Sequence, residues 1–170
     1  MSNLTNQEPE TGPSAGQTAT RLDATDHAML AELSTDARVS MRALADRLSI
    51  SRANAYNRLE RLTRDGVITG FRAQIDPHLA GLGTSAYVML SVEQTSWRAI
   101  EGGLREIPYV EHIALVGGDF DVLVLVRTPD NATLRDVVLE RLQAVKGVRA
   151  SRTWLIFEEA AGQGAPWMSH

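Results

Sequence analysis

The stretch that most constrains this chain runs from Ser40 to Phe71, SMRALADRLSISRANAYNRLERLTRDGVITGF. Ser40 is placed to cap a helix in which Leu44 and Leu48 lie one turn apart on one face, and small Ala45 permits close helix packing. Ser49, Ile50 and Ser51 then supply a polar residue, an apolar plug and a second N-cap. The spacing of Ala55, Leu59 and Leu62 predicts a second helix from Arg52, stopped by Gly66 as a C′ glycine shortly after Arg64. Val67, Ile68 and Phe71 read as a short strand. Helix, turn, helix and strand form the pattern of a winged helix-turn-helix, which makes DNA the expected partner.

The second helix carries the chemistry. With Ala55, Leu59 and Leu62 buried, a rotation of about 100° per residue points Ala53, Tyr56, Asn57 and Glu60 outward. Asn54 and Arg61 fall on one flank, with Arg52 and Arg58 nearer the core edges. Base edges in the major groove are read by forked donors and amides, such as Arg on guanine or Asn on adenine. Phosphates are met by Arg, small hydroxyls and helix N-termini. The expected DNA-contacting set is therefore Ser40, Ser51, Arg52, Ala53, Asn54, Tyr56, Asn57, Arg58 and Arg61. Residues 40–72 hold seven Arg against three acids, within a chain of net charge −4. A positive excess confined to one segment fits local DNA contact and excludes a generally basic nucleic-acid coat.

Other classes find little support. The chain has no cysteine, so neither a disulfide nor a thiolate metal site is open to it. No apolar run approaches the roughly 18 residues of a spanning helix, and no charged-then-apolar leader opens the sequence, so a cytoplasmic location is expected. His27, His78, His112 and His170 are scattered without metal-ligand spacing. No Gly-rich phosphate loop or nucleophile elbow is present. No catalytic residue, metal or cofactor is expected, and the chain does not read as an enzyme.

Residues 1–21 are polar, rich in Thr, Gly and Pro, and read as a disordered tail. Asp23 can cap a first helix bearing His27, Met29, Leu30 and Leu33 and ending between Ser34 and Asp36. Asp76-Pro77 closes the first domain, read as residues 22–76, and residues 77–83 read as a linker. Beyond it the pattern turns mixed. Ser85 to Val92 is a strand, and Ser96 can cap a helix with Trp97, Ile100 and Leu104 on one face, closed by Pro108. Gly102 and Gly103 sit inside that helix. Val110 to Val116 and Phe120 to Val126 are two strands joined by the tight Gly117-Gly118-Asp119 turn. Asn131 or Asp130 can cap a helix with Leu134, Val138, Leu142 and Val145, ended by Gly147, and Val148 to Phe157 is the last strand. The order βαββαβ over residues 84–159 predicts a ferredoxin-like domain in an α+β chain, with residues 160–170 as a tail. Val122 to Val126 is apolar at every position, so both sheet faces are apolar there while the helices cover one. The open face is an expected homodimer interface, which would also pair two reading helices over a two-fold DNA site.

The chain resembles the feast/famine regulators, the leucine-responsive and asparagine-operon (Lrp/AsnC) group, from about Leu22 to Glu159. The resemblance rests on Leu22-Asp23-x-x-Asp26, Arg38-Val39-Ser40, Leu44-Ala45, Ser51, Arg58, Leu62 and Gly66-Val67-Ile68. It continues through Phe71, Asp76-Pro77, Gly81, Gly118-Asp119-Phe120-Asp121 and Gly147-Val148. It implies a bacterial or archaeal transcription regulator whose second domain senses a small molecule, usually an amino acid, assembling as dimers and commonly as tetramers of dimers. It further implies an effector site between dimers, at the Gly117 to Asp121 turn and the facing last strand. There the amides of Gly117 and Gly118 suit a carboxylate, Asp119 or Asp121 an ammonium, and Leu115, Trp154 and Ile156 a side chain. Gly117 stands where the family often has Ser or Thr, which removes a hydroxyl from that site. Two alternatives remain open on the sequence: an amino-acid-sensing module without DNA binding, and a tetrapyrrole decarboxylase-like relative.

Overall fold

A computed structural model describes residues 22–93, 97–160, 162, 164 and 165. The tail expected at residues 1–21 and the Ser96 cap lie outside the described residues, as do 161, 163 and 166–170 of the carboxy-terminal tail. The chain separates into two compact units that divide between Ala73 and Gln74.

The first unit holds three helices, α1 (Ala24–Thr35), α2 (Met41–Arg47) and α3 (Arg52–Arg64). Each begins where a side chain can satisfy the orphan amides of its first turn. Asp23 and Asp26 form a reciprocal capping box on α1, with the Asp26 amide donating to Asp23 Oδ1 at 2.8 Å. Ser40 Oγ accepts from the Ala43 amide, and Ser51 Oγ from the Asn54 amide, each at 3.2 Å. Met29, Leu44, Ala45, Ala55, Leu62 and Ile68 close a core from which water is excluded. The turn between α2 and α3 is made by Ser49 at φ 53°, a left-handed position where an L side chain costs about 1–2 kcal/mol. Gly66, at φ 72°, meets the same demand after α3 without that cost.

The strand expected from Val67 to Phe71 does not form. No ladder joins these residues among those described; instead the Ile68 amide donates to Leu62 O at 3.0 Å and its side chain enters the helical core. A lone strand gains nothing without a partner, and Ile68 is worth more as a core residue.

The residues read as a linker carry an ordered turn. Asp76 Oδ1 accepts from the Leu79 amide at 3.0 Å, and the Leu82 amide donates to Pro77 O at 2.8 Å. Then follow β1 (Thr84–Val92), α4 (Trp97–Arg105), β2 (Val110–Leu115), β3 (Val122–Thr128), α5 (Asn131–Asp136) and β4 (Val148–Ile156). Asp130, not Asn131, caps α5. The helix runs on into a π-helical stretch over Val137–Leu142, whose wide turn places Val137, Val138 and Leu142 in the core. The four strands order as β2-β3-β1-β4, all antiparallel, the ferredoxin-like arrangement.

Alternation sorts the sheet into two faces. Ala86, Val88, Leu90 and Val92, with Val122, Val124 and Val126, pack under Ile100, Leu104, Leu134 and Leu142. The opposite face, free of the helices of this unit, carries Tyr87, Met89, Leu123 and Leu125 across β1 and β3; Met89 and Leu125 are buried, and Tyr87 and Leu123 half-buried. Of the two helix glycines, Gly103 has a packing reason, because a Cβ there would come within 3.1 Å of Val145 Cγ1. Gly102 has none, and a Cβ would meet nothing within 4 Å. Gly102→Ala is expected to stabilise this unit by about 1 kcal/mol, read as a raised thermal midpoint. A lowered midpoint would show that the open space is filled by another chain.

Candidate DNA-reading surface and effector site

α3 exposes several of the expected DNA-contacting residues at its first two turns. Arg52, Ala53, Asn54, Tyr56 and Asn57 are exposed, Tyr56 at 54 %, while Ala55 and Leu62 anchor the opposite side. The side chains of Arg52, Tyr56 and Asn57 make no hydrogen bond or ion pair with the described residues. They lie at the start of the second helix, the part that meets base edges in helix-turn-helix proteins.

Arg58 and Arg61 behave differently. Both turn back to α1, where Asp26 is 1 % exposed. Arg58 Nη1 donates to Asp26 Oδ1 and to Asp23 Oδ2, each at 2.7 Å, and Arg61 Nη2 donates to both Asp26 oxygens at 2.6 and 2.7 Å. The Asp23 amide also donates to Asp26. Burial pushes the Asp26 carboxyl up, but hydrogen bonds from Arg61, the Asp23 amide and Arg58 outweigh it and hold the group below the ordinary carboxylate range. Two arginines and two aspartates thus sum to zero charge and tie α3 to the start of α1. Helical spacing gave Arg58 and Arg61 their azimuth but could not show a partner lying 32 and 35 residues earlier.

In the second unit the expected effector residues divide into two groups. Gly117, Gly118 and Asp119 are exposed in the turn between β2 and β3, beside exposed Leu115. Asp121 is partly committed to the fold: its Oδ2 accepts from the Val92 amide at 2.8 Å, and its own amide donates to Leu90 O at 3.0 Å. Trp154 and Ile156 lie on β4, paired with Tyr87 and Ser85 of β1. β2 and β4 are opposite edges of the sheet, so one copy of the chain does not bring the two groups together. Trp154, 57 % exposed, and Ile156 border an open groove of about 620 Å³ with Tyr87 and residues 157–160. At one end of the uncovered face Arg127 donates to Glu111, Ser85 and Glu159, giving the apolar surface a polar border.

Residues 22–69 match the model of a winged helix-turn-helix DNA-binding domain, and residues 85–165 that of the Lrp/AsnC ligand binding domain. The chain is 34 % identical over 148 residues to the proline dehydrogenase transcriptional activator of Rhodobacter capsulatus, covering 85 % of this chain and 96 % of that one. The chain belongs to the Lrp/AsnC family. It is also 30 % identical over 141 residues to the leucine-responsive regulatory protein of Salmonella typhimurium, covering 81 % and 86 %. The crystal structure of the leucine response regulatory protein of Mycobacterium tuberculosis superposes with a TM-score of 0.74 at 30 % identity, covering 85 % of this chain and 98 % of that one. The Lrp/AsnC architecture therefore holds here, helix-turn-helix first and ligand-binding fold second. One of these relatives is named as a transcriptional activator and the others as regulatory proteins. Among the described residues no helix is long and apolar enough to cross a membrane.

Proposed function

We propose that this chain is a sequence-specific, DNA-binding transcriptional regulator whose second unit binds an amino acid and thereby controls assembly or DNA affinity. The observation that carries this reading is the exposed set Arg52, Tyr56 and Asn57 on a helix capped by Ser51 and fixed by Asp26. Forked donors and amides on that surface are what base edges require, while the helix start and its Ser51 cap suit phosphate. Arg58 and Arg61 serve this surface by holding the helix. Homodimerisation through the uncovered sheet face would present two such helices, and further association would join the Gly117 to Asp121 turn of one copy to the β4 edge of another. That junction supplies glycine amides for a carboxylate, Asp119 for an ammonium, and Leu115, Trp154 and Ile156 for a side chain. The effector can move the equilibrium only by its differential affinity for the assemblies.

The test is fluorescence anisotropy on duplex from upstream of the gene for this chain, at two salt concentrations, with random duplex as competitor and each common amino acid in turn. Salt-sensitive binding that survives the competitor and shifts with one amino acid is expected. The Arg52→Ala, Asn57→Ala double variant is expected to lose specific binding by at least about 100-fold with oligomer size unchanged. Specific affinity that survives the double change would move the reading surface elsewhere. Binding no tighter than to random duplex would favour a sensing module that does not read DNA.

A further inference from the structure

Asn54 stands at the third position of α3, exposed and next to the free set, yet half of its amide is engaged. Arg58 Nε donates to Asn54 Oδ1 at 3.0 Å. The assignment of oxygen and nitrogen in this amide is settled by chemistry, because a guanidinium has no acceptor and only the oxygen can face it. Arg58 is itself not free to turn away. Its Nη1 is held by Asp23 and Asp26, and Asp26 is buried and shared with Arg61. A chain of hydrogen bonds therefore runs from a buried carboxylate through Arg58 to one end of an exposed amide.

An asparagine amide commonly reads adenine with both ends at once, its oxygen accepting from N6 and its N–H donating to N7. At Asn54 one of the two lone pairs of that oxygen is held by Arg58, so a base donor would have to share an acceptor already bonded to a cation. The two N–H donors of the amide remain open. The one base that offers two adjacent acceptors and no donor in the major groove is guanine, with N7 and O6, whereas thymine offers O4 alone beside its methyl group. Building on the DNA-reading function above, we propose that Asn54 reads DNA through its two unengaged N–H donors and thereby selects guanine. Arg58 is the positioning residue that imposes this by occupying the amide oxygen. Asn57, with no such tether, keeps both ends of its amide.

Site selection from a randomised duplex library tests this with the full-length protein. In the wild-type protein one base-pair position is expected to prefer guanine, and Asn54→Ala to relax that position alone, with about a 10-fold loss of specific affinity. Asn54→Asp keeps an acceptor for Arg58 but has no donor, and is expected to lose the same preference. Arg58→Met frees the oxygen, and the same position is expected to admit adenine while the others hold. A merely structural Arg58 would lower affinity at every position together. If Arg58→Met does not fold, the Asn54 variants decide alone. Adenine at the Asn54-dependent position, or no position relaxed by Asn54→Ala, overturns the inference and leaves DNA reading intact. A library from which the wild-type protein selects no sequence overturns the DNA-reading function itself.

Discussion

Asp26→Asn is expected to destabilise the amino-terminal unit by about 2–4 kcal/mol, because it leaves two guanidinium groups without the carboxylate they share. That range sits below the full cost of breaking a buried pair, since Arg58 and Arg61 keep 21 % and 31 % of their side-chain surface in water. In a unit this small that loss should lower its thermal transition by roughly 15–30 °C, followed by circular dichroism on the full chain. Specific DNA binding should fall with it, although Asp26 is buried away from any partner. The pH dependence has a definite sign. A carboxyl whose folded value lies below its unfolded value contributes stability above the ordinary carboxylate range and loses it as pH falls through the folded value. The wild-type unit should therefore weaken below about pH 4. The Asp26→Asn variant, weaker at neutral pH, should lack that part of the acid slope. A transition that stays where the wild-type protein has it would mean the ion pairs contribute nothing net.

The second large effect is expected at Leu123, which pairs with Met89 and Ala114 at the middle of the uncovered sheet face. In an isolated copy, Leu123→Asp changes a partly exposed strand residue and should cost under about 1 kcal/mol. In a two-fold sandwich of these faces it buries an unpaired carboxylate in each copy. At about 3 kcal/mol per copy, and two copies by symmetry, the dissociation constant should rise on the order of 10⁴-fold. Sedimentation velocity should then show smaller, folded particles. An unchanged sedimentation coefficient would place the dimer contact on another surface.

Features that act locally could be read from the chain alone. Asp23, Ser40 and Ser51 announce helix starts because a cap acts within three residues of itself. The runs in β1 and β3 announce strands because one of their faces has to meet the helices. What escaped the sequence acts over distance. Asp121 reaches the Val92 amide from 29 residues away, which turned an expected ligand carboxylate into a partial fold clamp. The Arg58 and Arg61 partners escaped for the same reason. Val67 and Ile68 carry a strand-like pattern, but pattern alone does not say whether a partner strand exists. The π-helical stretch after Asp136 left no mark in Val137-Val138-Leu139 that separates it from ordinary helix.

The order β2-β3-β1-β4 has a consequence for what such a regulator measures. On the effector site proposed above, contacts on opposite rims of one sheet would be completed only when copies meet, so occupancy would depend on how much regulator a cell holds as well as on how much nutrient. The half-saturating nutrient level should then drift downward as the protein is made in greater amount. Expression of the gene becomes a way of tuning the sensor, with no change in any residue that touches the nutrient.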